Sequence, residues 1–107
     1  MGPGAVPALA QVLGNSERPP VRQAATEALA SIGSAAKAAV PALVRNLEDP
    51  QREIRSATIV ALARIGMGAK EAVPALRRLP GQDPQLSVLA ELAIKRIEGK
   101  RTSDGNE

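Results

Sequence analysis

The densest group of carboxylates in this chain is Glu48, Asp49 and Glu53. Clustered carboxylates can serve as general acid and base, or ligate Ca²⁺. Either role needs further parts, and none stands nearby: no Gly-rich loop, no acidic repeat spacing, no third element. The chain contains no His and no Cys. The usual general base, the commonest transition-metal ligand and every thiolate site are therefore missing. Ser34, Ser56 and Ser87 have neither a His nor an SxxK partner, so none is a credible nucleophile. The strings GSAAK (Gly33–Lys37) and GMGAK (Gly66–Lys70) carry glycine and lysine but lack the spacing of a phosphate loop, and they follow helical patterns rather than strands. The acids are expected to cap helix starts and offset helix dipoles. No catalytic residue, cofactor or metal is assigned.

Cations could do binding chemistry instead. Arg77-Arg78, Lys95-Arg96 and Lys100-Arg101 make the last third basic. The formal net charge is only +3, the excess lying in residues 35–101 and an acidic tail following it. A dedicated nucleic-acid binder is usually more basic. Aromatic residues are absent, which removes base-stacking platforms and the commonest anchors of tight protein interfaces. A solvated face with helix-end compensation accounts for most of these cations. Contact with phosphates through Arg64, Arg77, Arg78, Lys95 and Arg96 is the alternative. The absence of Cys fits a cytoplasmic protein, and the sequence shows neither a long apolar run nor a signal peptide.

The elements that position these residues come from a repeat. AVPAL stands at Ala5–Leu9, Ala39–Leu43 and Ala72–Leu76, about 33 residues apart. Each copy continues with two apolar patterns of helical period. The first includes Val40, Leu43, Val44 and Leu47; its equivalents are Val6, Leu9, Val12 and Leu13. The second reads Val21, Ala24, Ala25, Ala28, Leu29, Ile32, then Ile54, Ala57, Thr58, Ala61, Leu62, Ile65, then Leu86, Leu89, Ala90, Ala93, Ile94, Ile97. Such spacing marks one face of an α-helix. Apolar residues make up 44% of the chain, mostly Ala, so the core is expected to be thin and the helices close.

Gly33 and Gly66 stand where left-handed C-caps are expected. Asp49-Pro50 and Asp83-Pro84 read as an N-cap acid before a proline at the first helical position. Pro19-Pro20 opens the equivalent helix of the first copy. Residues 35–39 are strong helix formers, which predicts one helix from about Ala35 to Leu47, bent at Pro41 with the Lys37 carbonyl left without a helical donor. A hairpin of this size cannot bury its apolar stripe alone, but stacked hairpins can. The expected fold is all-α: an α-solenoid of three helical hairpins, about six helices. The domain is expected over residues 4–98, with repeats at about 4–34, 35–67 and 68–98, and residues 99–107 as a disordered polar tail.

The combination Ala39-Val40-Pro41-Ala42-Leu43, Leu47, Asp49, Ile54-Arg55, Ala57, Ala61-Leu62 and Ile65-Gly66 resembles the HEAT repeats, in particular the short form named after phycobilisome lyases. Val21-Arg22, Ala24-Ala25, Ala28-Leu29 and Ile32-Gly33 repeat the match. The third copy departs from it at Leu86-Ser87 and at Ile97-Glu98-Gly99. The resemblance implies a HEAT/ARM-like superhelix. It also implies a ladder in which Arg22 and Arg55 pair with loop acids, Asp49 in copy two and Glu17 as a poor substitute in copy one.

The resemblance further implies a concave surface lined by the second helices. Gln23, Thr26, Glu27 and Ala30 stand there in copy one. Ser56, Ile59, Val60, Ala63 and Arg64 follow, then Val88, Glu91, Leu92, Lys95 and Arg96. Partner binding is assigned to Gln23, Glu27, Ile59, Val60, Arg64, Val88, Leu92, Lys95 and Arg96, with inter-repeat packing as the competing role. The expected function is a non-catalytic protein-interaction or scaffold module, probing a protein partner rather than nucleic acid or membrane. The alternatives are an accessory region of a larger enzyme, phycobilin-lyase-like, or a weak nucleic-acid-binding solenoid. Copy one lacks the helix-forming lead that precedes AVPAL in the other copies. Residues 4–98 are therefore expected to be the last repeats of a longer array, or to self-associate through the bare N-terminal face.

Overall fold

A computed structural model describes residues 3–79 and 83–99. Six α-helices follow in order: α1 (Val6–Asn15), α2 (Pro19–Ile32), α3 (Val40–Asn46), α4 (Arg52–Ile65), α5 (Val73–Arg78) and α6 (Pro84–Ile97). Tighter 3₁₀ segments, Pro3–Ala5, Gly33–Ala39 and Gly66–Ala72, lead into α1, α3 and α5. No strand occurs among the described residues. The expected polar tail lies outside them from residue 100 onward.

Helices pair as hairpins, α1 with α2, α3 with α4, and α5 with α6. The hairpins stack, with α2 against α4 and α4 against α6 in one layer and α1 against α3 in the other. The molecule measures 42 × 30 × 18 Å. Its thinnest dimension matches two helices of about 10 Å diameter laid side by side. The fold is an α-solenoid.

AVPAL recurs because each of its residues has a fixed place in this stack. Val6, Val40 and Val73 are buried, as are Leu43 and Leu76, while Pro7, Pro41 and Pro74 face outward. Ala36, Ala39, Ala69 and Ala72 are fully buried. Their methyl groups let the 3₁₀ segments lie close on neighbouring helices, and a larger side chain there would overpack the contact.

The proline does not bend one long helix. α3 begins at Val40, and Pro41 sits in its first turn. The Lys37 carbonyl is not orphaned, because the Val40 N–H donates to it; Val73 and Lys70 repeat the bond. Moving the donor one residue closer turns α geometry into 3₁₀ geometry. Ala36 (φ −92°, ψ 16°) and Ala69 (φ −101°, ψ 20°) also leave the regular helical path.

Two further expectations change in detail. Gly33 and Gly66 do terminate α2 and α4 at positive φ, 74° and 76°. Their ψ values of −137° and −139° place them outside the left-handed helical well, in a region that essentially only glycine visits. Asp83 is the N-cap of α6, accepting from the N–H groups of Gln85 at 3.0 Å and Leu86 at 3.4 Å. Asp49 is not a helix cap: α4 starts after Gln51, and Asp49 has other partners.

The helical path Pro19–Asn46 is long and apolar enough to cross a bilayer if it were straight. It is not straight, because Gly33 turns the chain. The 14 residues of α2 span only about 21 Å, short of a hydrocarbon core of about 30 Å.

Candidate interaction surface

The loop edge of the stack shows where charged side chains are already engaged. Arg22 on α2 pairs with Asp49 in the next repeat, Nε to Oδ2 at 2.8 Å and Nη2 to Oδ1 at 3.3 Å. It also donates to the Ser16 carbonyl at 3.0 Å. The expected partnership of Asp49 with Arg55 is corrected accordingly. Arg55 donates to the main-chain carbonyls of Asp49 and Pro50, at 2.8 and 3.2 Å. The next rung starts one helical turn earlier, where Arg52 pairs with Asp83 and donates to Gln85. The Arg52 hydrogen bond holds the Asp83 carboxyl below its ordinary range, partial desolvation opposes it, and the N–H groups of Leu86 and Gln85 reinforce it. A cleft of about 510 Å³ on this edge is lined by Asp49, Arg55, Arg78 and Asp83 among others. Its two aspartates are held by the arginine ladder, so the cleft is a seam of the stack, with Glu48 also on its lining. No group of three His, Cys, Asp or Glu side chains able to hold a metal occurs among the described residues.

A second polar device lies inside. Asn46 Nδ2 donates to the hydroxyls of Thr26 at 3.2 Å and Thr58 at 3.1 Å, tying α2, α3 and α4 together. Those hydroxyls donate to the carbonyls of Arg22 and Ile54. The network is complete, and no buried side-chain nitrogen or oxygen lacks a partner among the described residues. Nothing in the apolar periodicity announced it, since Asn46 occupies a slot that reads as polar surface.

The second-helix face carries the residues singled out from sequence. Equivalent positions form rows across α2, α4 and α6. One row is Gln23, Ser56 and Val88; the next is Glu27, Val60 and Leu92; a third is Ser31, Arg64 and Arg96. A groove of about 500 Å³ between α2 and α4 is lined by Gln23, Glu27, Arg52, Glu53, Val60 and Arg64, among others. An adjoining groove of about 450 Å³ between α4 and α6 is lined by Ile59, Val60, Arg64, Leu89, Leu92 and Arg96, among others. Val88 and Leu92 are 60% and 45% exposed. Gln23, Glu27, Val60, Arg64, Leu92 and Arg96 are thus brought together in two continuous grooves.

Two expected surface residues are buried, although Ile59 still borders the α4–α6 groove. Ile59 and Thr26 are both fully buried. They hold the same motif position, which faces the next repeat, as the bond from Asn46 to Thr26 shows. Glu91 holds that position in the last repeat and is exposed. Lys95 is exposed too but lies apart from the grooves, near Arg77 and Glu98 beside α5 and α6. Arg52 and Glu53 line the first groove and were not foreseen, because their positions precede the periodic pattern.

The basic residues do not converge. Arg64 and Arg96 line the α4–α6 groove, and Arg77 and Lys95 lie by α5 and α6 with Arg77 bonded to Glu98 at 3.3 Å. Arg78 lines the loop-edge cleft. At the opposite end of the stack Val6 and Leu13 of α1 are buried and Leu9 is partly so. Val21 is 39% exposed, while its equivalents Ile54 and Leu86, each covered by a preceding repeat, are 1% and 4% exposed.

Comparison with known proteins agrees with the geometry. A family model described as HEAT repeats matches residues 6–95. No curated protein and no solved structure matches the chain.

Proposed function

The chain belongs to the HEAT-repeat family, and on that premise we propose that it is a non-catalytic protein-interaction or scaffold module. Repeats of this family commonly bind other proteins and are generally non-catalytic. The observation that carries the proposal is the pair of adjoining grooves on the second helices, with Val88 and Leu92 exposed beside them. An exposed apolar patch rimmed by polar groups is what a docking surface requires. The contact residues are Gln23, Glu27, Val60, Arg64, Val88, Leu92 and Arg96, with Lys95 on the separate surface beside α5 and α6. The repeat boundaries near 4–34, 35–67 and 68–98, and a cytoplasmic setting, belong to the same proposal.

A second contact follows from the exposure of Val21: self-association through the N-terminal face of α1 and α2. Nucleic-acid binding is the weaker reading, because Arg64, Arg77, Arg78, Lys95 and Arg96 are spread over three surfaces and cannot track one phosphate backbone together.

Photo-crosslinking side chains placed at Val60 or Val88 test the main proposal. Adducts with a second protein should form there, should be lost in Leu92→Asp, and should not form from Gln11 or Ala38 on the first-helix side. Equal yields from both sides would contradict it.

A further inference from the structure

Resting on that reading, we propose that the α4–α6 groove takes a peptide segment that presents apolar side chains on one edge and carboxylates beside them. The groove is walled by Val60, Ala63, Leu89 and Leu92, and its charged lining groups are two guanidinium ions, Arg64 and Arg96. These arginines occupy the same motif position on adjacent helices, so they stand about 10 Å apart, the spacing of packed helices. Both are exposed, and neither guanidinium forms an ion pair or hydrogen bond with a described residue. The side chains of Arg22, Arg52, Arg55 and Arg77 have partners, and the other described arginines without one, Arg18, Arg45 and Arg78, lie outside this groove. The groove therefore combines an apolar strip with two planar donors free to take carboxylates in a forked geometry. Offsetting the helix dipole explains a cation in the last turn of α4 and of α6. It does not explain why both line the same groove.

The adjoining groove is of mixed charge. Arg64 borders it too, but there it shares the lining with Glu27 and Glu53, and the groove's Arg52 is held by Asp83 and Gln85. Glu27 and Gln23 stand where the last repeat has Leu92 and Val88, so the apolar strip belongs to the α4–α6 groove. A segment crossing both grooves would set its acids over α4 and α6 and its neutral or basic end over α2. An aliphatic strip between two arginines suits a peptide better than a nucleic acid, which has no aliphatic edge and is held through stacking and a long phosphate track.

The test is selection of a random dodecapeptide library displayed on phage, against the wild-type protein at physiological salt. Enriched peptides should combine Leu, Ile or Phe with two or more Asp or Glu. Their affinity should fall roughly tenfold or more in Arg64→Glu/Arg96→Glu, and should weaken with added salt. Arg45→Glu should change nothing. Arg64→Gln/Arg96→Gln, which adds no repulsion, should show the same loss, and far-ultraviolet circular dichroism melts should show every variant folded. Enriched peptides without acids, acidic peptides that bind the reversed variant equally, or no enrichment would each overturn the proposal. If acid-free peptides are enriched and Leu92→Asp abolishes their binding, the groove remains a docking surface and only the charge inference falls. If Leu92→Asp leaves binding intact, the interaction-surface reading falls with it. A short DNA duplex that binds more tightly than every selected peptide, and loses that binding in the reversed variant, would assign the arginines to nucleic acid instead.

Discussion

Replacing Asp49 with alanine removes the hinge between the first two repeats' charges. The carboxylate accepts from Arg22 Nε at 2.8 Å, from Arg22 Nη2 at 3.3 Å and from the Gln51 N–H at 2.9 Å. Its side chain is 5% exposed, and that of Arg22 is 14% exposed. Without Asp49, the guanidinium stays largely buried with only the Ser16 carbonyl at 3.0 Å. Breaking a buried pair by removing one partner costs about 3–5 kcal/mol. The surviving carbonyl and partial access to water bring the expected loss to about 2–3 kcal/mol. That is a large share of the roughly 5–10 kcal/mol that holds a domain of this size. Urea unfolding followed by far-ultraviolet circular dichroism reads it directly, since the chain has no Trp or Tyr for fluorescence. Arg22→Met/Asp49→Leu should be less destabilised than Asp49→Ala alone, because no unpaired charge remains. A loss under about 0.5 kcal/mol for Asp49→Ala would refute the reasoning, since that is the range of ordinary surface changes. So would independent, additive costs at the two positions.

Four further outcomes follow from the same structure. Asp83 has its folded-state pKa held below its unfolded value, so it adds stability above the ordinary carboxylate range, and that contribution is lost as pH falls through the folded pKa. The stability gap between wild type and Asp83→Asn should therefore be full above about pH 5 and shrink toward acid; a gap independent of pH would contradict the pairing with Arg52. Gly66→Ala should cost about 1–3 kcal/mol from backbone strain alone, because φ is 76° and nothing lies within 4 Å of the added Cβ. Gly14→Ala, within α1, should instead leave stability unchanged or raise it by up to about 1 kcal/mol in the same melt. Asn46→Ala should cost about 1–3 kcal/mol by leaving the Thr26 and Thr58 hydroxyls without their donor, and hydrogen exchange should quicken in α2 and α4 together rather than in α3 alone.

The stacked hairpins were legible in the sequence because burial repeats with the helical period, and each AVPAL copy records the same contacts. Val60, Arg64, Leu92 and Arg96 were legible as one face for the same reason. What the pattern hides is what depends on a neighbour. Ile59 and Thr26 lie on the flank of the second-helix stripe, and only the next repeat decides that they are buried; Glu91 at the same position is exposed. The partner of Asp49 could not be read, since Arg22 and Arg55 are equivalent by motif and the choice is made by how the loop of one repeat meets the helix of the one before. The break before Pro41 was also hidden. Helix propensity favours residues 35–39 as α-helix, and a single shifted hydrogen bond, Val40 to Lys37 in place of a missing Pro41 donor, makes them 3₁₀.

The central claim is that the second helices present a docking surface and that the first helices only brace it. Backbone amide chemical shifts of the isotope-labelled chain, titrated with a peptide selected on it, test this most directly. The account predicts shifts concentrated at Val60, Arg64, Val88, Leu92 and Arg96, with the amides around Ala38, Arg45 and Arg78 unmoved. Shifts concentrated on those first-helix and loop-edge positions, with the α4–α6 groove silent, would contradict it.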